Sequence, residues 1–158
     1  MKLTVTTYDE MVRETLRNMA FGARERSHCP ISNFKVGAAI LSSRHFAATE
    51  RLEQIKGHHF YVGTNFEDPA FNHTIHAEQA AIGAMIAEEG AAPLDAVVVV
   101  GGACDKDPIL PCGHCRQLLV ELTDDDTPIF SYSEDDTYRG MWTLGTLLPF
   151  AFRLSNFK

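Results

Sequence analysis

Apolar and polar positions recur along this chain with two different periods, and the switches between them outline a series of helices and strands. Met11, Val12, Leu16, Met19, Ala20 and Ala23 fall at helical spacing behind Thr7-Tyr8-Asp9-Glu10, which reads as a capping box, so a first helix is expected to about Arg26. Phe34 to Leu41 and Phe60 to Phe66 read as two strands, expected to pair antiparallel. Between them Ser42 to Gly57 exceeds what a hairpin needs. There Leu52 and Ile55, set among charges and followed by Gly57, suggest a short amphipathic turn within a solvated excursion. An apolar stripe of Ile75, Ala81, Ile82, Met85 and Ile86 predicts a helix over 75–89, stopped by Gly90. Asp95 to Gly102, with four consecutive valines, suits an interior strand buried on both faces. A loop and a helix over 112–122 follow, then a strand over 127–133, which the right-handed crossover rule places parallel to the valine strand. A short helix is expected near Thr143 to Leu148.

Composition narrows the class. The 158 residues, 45% of them hydrophobic, suit one domain with a real core, and neither repeats nor linkers interrupt them. Fourteen basic against 21 acidic residues give a net charge of -7 with no Lys/Arg block, which argues against a partner with a long phosphate backbone and favours a small substrate. The longest apolar run, Ala96 to Val100, is too short for a bilayer, and Met1 to Val5 lead into a polar helix. A cytoplasmic protein without membrane association is the expectation. Four cysteines fit a reducing compartment better than a disulfide framework. The acidic runs 124–126 and 134–136 lack a calcium-loop pattern and read as solvated turns.

The chemistry concentrates in His76-Ala77-Glu78 and Pro111-Cys112-Gly113-His114-Cys115. One imidazole and two thiolates make a three-ligand zinc set that leaves a fourth position for water, with Glu78 beside it as a carboxylate that is not a ligand. Residues two apart on a helix point to nearly opposite sides, so His76 and Glu78 serve one metal only if it lies off the helix's N-terminal end. Cys112 and Cys115, about one turn apart after Pro111, suit a second helix start. The metal is therefore expected between two helix N-termini, whose partial positive charge favours thiolate. A C-x-x-C alone would fit a redox pair or half of a closed structural site. A closed site wants a fourth ligand, and the spare candidates, Cys29, Cys104, His58, His59, His73 and His114, stand at no recognisable ligand spacing. The combined order, H-x-E then P-C-x-x-C, is the signature of zinc nucleobase deaminases.

Across most of its length the chain resembles the cytidine deaminases. The likeness rests on Ile31-Ser32-Asn33-Phe34-Lys35-Val36-Gly37-Ala38-Ala39, Gly63-Thr64-Asn65-Phe66-Glu67, the run from His76 to Ile82, Pro111 to Gln117, and Leu147-Leu148-Pro149. The resemblance implies a three-layer α/β/α fold with a mixed sheet of about five strands and helices on both faces. It further implies hydrolytic deamination at C4 of cytidine or deoxycytidine, in pyrimidine salvage, with Glu78 as proton shuttle. By the same resemblance Asn65 and Glu67 grip a sugar hydroxyl, Phe34 lines the pyrimidine pocket, the Ala77 N–H holds the pyrimidine O2 and the Leu110 carbonyl accepts from the amino group. Phe71 is a second candidate ring, with core packing an equal alternative. Phe152 resembles a residue that reaches into a neighbouring subunit's site, which implies a homo-oligomer. The neutral third ligand His76, with Gln79 rather than an arginine after Glu78, matches the His-ligated branch, in which two thiolates already balance the zinc charge. Familiar members of that branch are longer two-domain chains forming dimers; at this length a tetramer is the expectation. Asp68 departs from the family's usual asparagine. Two alternatives remain open, a deaminase of a modified cytidine or cytosine-nucleoside antibiotic, and a zinc or nucleoside-binding module without turnover.

Overall fold

The computed structural model describes residues 5–43, 59–70 and 73–157, the first five of them by backbone alone. Phe71 and nearly all of the 42–57 excursion lie outside the described residues. Helix α1 spans Val5–Arg24, followed by strands β1 (Val36–Ser42) and β2 (His59–Thr64), helix α2 (Ala77–Glu89) and strand β3 (Leu94–Gly101). Helix α3 (Gly113–Leu119), strands β4 (Pro128–Tyr132) and β5 (Tyr138–Thr143), and a one-turn helix α4 (Leu144–Leu147) complete the order before a 3-10 turn at Leu154–Phe157.

The five strands form one mixed sheet in the order β2-β1-β3-β4-β5. As expected, β1 pairs antiparallel with β2, Ile40 opposite Tyr61, and β3 runs parallel to β4 with Val98 opposite Phe130. The valine run shows why the sheet is covered on both sides, because successive side chains point to opposite faces. Val97 and Val99 join Ile40, Ala81, Ile82, Met85, Leu119 and Ile129 in one core layer. Val98 and Val100 join Leu16, Ala20, Ala39 and Leu41 in the other. Helix α1 thus covers one face and α2 with α3 the other, giving the three-layer α/β/α arrangement.

Four local expectations change. Helix α1 already includes Val5, so Thr7 to Glu10 lie within it, where a residue with helical backbone cannot act as an N-cap. Met11 falls off the buried stripe and is 47% exposed. The second strand ends at Thr64, and Phe66 instead makes isolated bridges to His28 and Ile75. Strand β5 occupies a stretch to which the periodicity assigned no element, because an edge strand with only half-buried and exposed positions carries no alternation to read. Gly90 does stop α2, at φ 82°, with its N–H returned to the Ile86 carbonyl. Among the described residues no helix is long and apolar enough to cross a membrane.

Candidate metal centre and substrate cavity

The site is assembled where two helices begin on the same face of the sheet. His76 is the N-cap of α2 and Cys112 the N-cap of α3, both with extended backbone, while Glu78 and Cys115 lie in the first turns. Close approach of α2 to the sheet is made possible by Gly63 on β2. A Cβ there would overlap the Ala77 carbonyl and stand 2.8 Å from the Ala80 Cβ. The N-cap is locked by the sequence itself, since the Gln79 side chain accepts from the His76 backbone N–H at 3.4 Å.

His76 Nδ1 lies 3.3 Å from Cys112 Sγ and 3.4 Å from Cys115 Sγ. Tetrahedral zinc, with its usual bond lengths to nitrogen and sulfur, would hold such atoms about 3.5 Å apart. These three donors lie within 4.8 Å of one another, and among the described residues no other histidine, cysteine or carboxylate joins them. The spare candidates are engaged elsewhere: His59 with Glu89 at 2.9 Å and His73 with Asp68 at 2.9 Å. His114 rests its ring 5.7 Å from the His76 ring without entering the donor set. His58 lies outside the described residues.

Electrostatics make the same case for a cation. Cys115 is fully buried, and burial pushes its thiol pKa far up, followed by the Glu78 carboxylate and Cys112 beside it. A divalent ion among these donors would reverse that penalty and draw the buried Cys115 thiol to thiolate. Zinc fits the donor set in type, number and spacing. Glu78, 4% exposed, stands beside this set and outside it.

A cavity of ≈ 280 Å³ opens against the centre, lined by Val36, Asn65, Thr74, Ile75, His76, Ala77, Glu78, Val99, Ile109, Leu110 and Cys112. Of the residues predicted from sequence, Asn65, Ala77 and Leu110 therefore line one cavity with His76, Cys112 and Glu78. Asn65 is also a structural clasp. Its side-chain oxygen accepts from the Val36 N–H at 2.8 Å and the Ser27 hydroxyl at 2.5 Å, and its amide donates to the Phe34 carbonyl at 2.8 Å. That leaves one amide hydrogen to offer.

Phe34 and Glu67 are absent from this lining. The end of the Phe34 ring lies beside Gly102, 3.7 Å from where a Cβ on that glycine would stand. Glu67 is held by the 31–32 loop, accepting from the Ser32 hydroxyl at 2.5 Å and the Ser32 N–H at 3.1 Å. The Ser32 hydroxyl, then the Ser32 N–H, hold the Glu67 carboxyl below its ordinary value of 4.5. Asp68 turns into its own loop, accepting from the Ala70 N–H at 2.6 Å and pairing with His73. Phe152 is also absent from the lining; it is 58% exposed, and its carbonyl accepts from Gln117 at 2.7 Å. Sequence reasoning missed Val36, Thr74, Ile75, Val99 and Ile109. Thr74 and Ile75 precede His76 directly and Ile109 lies two before Pro111, so proximity to the motifs was the one available signal; Val99 reaches the wall only through strand register.

Comparison with known proteins gives the same picture. The sequence matches the family model described as the cytidine and deoxycytidylate deaminase zinc-binding region over residues 11–131. It is 33% identical to a cytidine deaminase of Halalkalibacterium halodurans, over 90% of this chain and 95% of that protein. It is 32% identical to a cytidine deaminase of Shewanella amazonensis over 78% of this chain, covering 33% of that protein. The solved cytidine deaminase of Burkholderia pseudomallei superposes with a TM-score of 0.71 and 31% identity, over 88% of this chain and 98% of that one. That of Mycobacterium tuberculosis gives a TM-score of 0.67 at 31% identity, over 89% and 96%. With its paired helix starts, its imidazole and two thiols within bonding reach of one ion, and an unliganded carboxylate beside them, this chain belongs to the cytidine and deoxycytidylate deaminase family.

Proposed function

We propose that this protein deaminates cytidine and deoxycytidine hydrolytically, releasing uridine or deoxyuridine and ammonia. One observation carries the reading: a buried carboxylate, Glu78, sits beside the three metal donors without joining them and lines the same cavity. A closed structural site has no use for such a group.

Zinc, which His76, Cys112 and Cys115 would hold, would supply a Lewis acid that lets a water molecule ionise near neutral pH. Glu78 takes one proton from that water and delivers it to ring N3 as the C4–O bond forms. It then passes the second proton to the amino nitrogen as the C4–N bond breaks, so ammonia leaves and a carbonyl remains at C4. The Ala77 N–H, in the first turn of α2 and without an intrahelical acceptor, holds the pyrimidine O2. The Leu110 carbonyl accepts from the amino group. Asn65 offers its remaining amide hydrogen to the sugar, and Glu67, kept ionised by Ser32, serves the sugar end while repelling a 5′-phosphate. Phe34 contributes its ring to the pyrimidine end.

The 158 residues act as one domain, and the single sheet with its two core layers supports this. An exposed cluster of Phe150, Phe152, Leu154 and Phe157 supports a homo-oligomer, of which a tetramer brings Phe152 to a neighbouring site. Its net charge and small cavity suit free nucleosides in the cytoplasm, in pyrimidine salvage. Ammonia release from the zinc-loaded protein, measured over cytidine, deoxycytidine, cytosine, deoxycytidylate and 5-substituted cytidines, tests the reading. Turnover is expected with the two free nucleosides and at least tenfold less with deoxycytidylate. Turnover of none of them, or of deoxycytidylate best, contradicts it.

A further inference from the structure

Resting on the deaminase reading, we propose that Ser131 and Arg116 are positioning residues that aim the Leu110 carbonyl at the leaving amino group. Three consecutive carbonyls run along the loop entering α3, and the structure treats the middle one differently. Ile109 O accepts from the Ser131 hydroxyl at 2.7 Å, and Pro111 O accepts from Arg116 Nε at 2.6 Å. Among the described residues no donor reaches the carbonyl of Leu110, the residue between them, which lines the cavity beside Glu78 and Cys112.

The restraint is tighter than two hydrogen bonds suggest. Fixing Ile109 O orients the peptide plane before Leu110, and fixing Pro111 O orients the plane after the proline. The peptide carrying Leu110 O lies between these two, and the proline ring locks the torsion on one side of it while restricting Leu110 to extended backbone on the other. Few degrees of freedom remain to turn the Leu110 carbonyl away.

Both anchors belong to rigid parts of the fold. Ser131 is fully buried on β4, within the register that pairs it with Val99, itself a cavity residue. Arg116 donates a second bond to the Leu147 carbonyl at 2.8 Å, so its planar head ties the loop to the turn of α4. A lysine could not hold both acceptors in that fork. An acceptor fixed in advance discriminates: it favours a ring bearing an amino group at C4 and opposes a product bearing a carbonyl there. A buried serine on a strand distant from both sequence motifs thereby helps distinguish substrate from product.

The test uses the full-length, zinc-loaded Glu78→Gln protein, in which turnover is slow enough for binding to be read, and compares it with Glu78→Gln/Ser131→Ala. Affinities for cytidine and for uridine are read by calorimetry, with zinc content and melting midpoint as controls. The expected result is a roughly 3- to 10-fold loss for cytidine, the size of one neutral hydrogen bond, with uridine changed less than about twofold. Equal losses for both ligands, which a merely structural role would give, overturn the proposal, as does no loss for either. Should Ser131→Ala fail to fold, Arg116→Lys in the same background is held to the same two outcomes. If Glu78→Gln alone retains zinc and binds neither nucleoside, the deaminase reading falls, and this inference with it.

Discussion

At Glu78 the chain places a carboxylate in the first turn of α2, and packing leaves it 4% exposed beside sulfur and imidazole donors that it does not join. A proton shuttle is separable from a ligand. Glu78→Gln should therefore retain one zinc per chain, by elemental analysis, while turnover of cytidine falls about 10²- to 10⁴-fold, the usual contribution of a positioned acid-base group. Turnover within tenfold of the parent would remove Glu78 from the mechanism. Glu67 offers a second check. Its carboxyl is held low, first by the Ser32 hydroxyl, so its ionised form is favoured by the fold. For a depressed group, the stabilisation is present above the unfolded value and is lost as pH falls through the folded one; the affected window lies on the acid side of 4.5. Ser32→Ala should raise the Glu67 pKa toward 4.5 in a carboxyl NMR titration, and an unchanged titration would contradict the assignment of cause. At this scale the donors and Glu78 were legible in the sequence because cap and first-turn positions follow directly from residue spacing. Asn65 was singled out in the sequence and lines the cavity, but its role as the clasp joining Phe34, Val36 and Ser27 was not legible, since those bonds depend on how two strands meet.

Among the elements, α2 depends most on what lies beneath it. Gly63 lets the helix start descend onto β2 until the Ala77 carbonyl occupies the space a Cβ would need. Gly63→Ala should cost about 1–3 kcal/mol of stability by overpacking, and should also weaken zinc retention because His76 caps the displaced turn. Calorimetric unfolding and a zinc-chelator competition check both; a variant with unaltered zinc affinity would show that the helix start does not set the donor geometry. Elements with a strong period were readable. The valine strand, buried throughout from Ala96 to Gly101, and the α1 stripe of Leu16, Ala20 and Ala23 fall where the pattern put them. Those shaped by edges and ends were not. In β5 no position is buried, so the hydrophobic signal is lost, and Gly140 at φ 135° interrupts what remains. Thr7 to Glu10 spell a capping box, yet the same four residues serve equally as one helical turn, and the helix already contains Val5.

For the molecule as a whole, the sheet and its two core layers deliver both helix starts to one cavity, while the C-terminal segment leaves aromatic surface uncovered. Phe150 is fully exposed and Phe157 73% exposed, a concentration of apolar surface that favours association. If the proposed homo-oligomer forms through this surface, replacing Phe150 and Phe152 together by serine should shift the protein toward monomer in sedimentation velocity, with the melting transition of each chain largely kept. A parent protein that is already monomeric would contradict the proposal, and an unchanged oligomer would contradict this interface. The acidic turns take ordinary structural roles: Asp136 pairs with Arg17, Glu134 with Arg24 at 2.9 Å, and Asp125 with Arg153, so they compete for no catalytic ion. The proposed function then rests on one metal that three protein atoms would hold. X-ray absorption at the zinc edge of the loaded protein reads that arrangement directly. Two sulfurs, one imidazole nitrogen and one light atom lost to no protein ligand are predicted; a third sulfur or a second imidazole closing the coordination sphere would contradict the account.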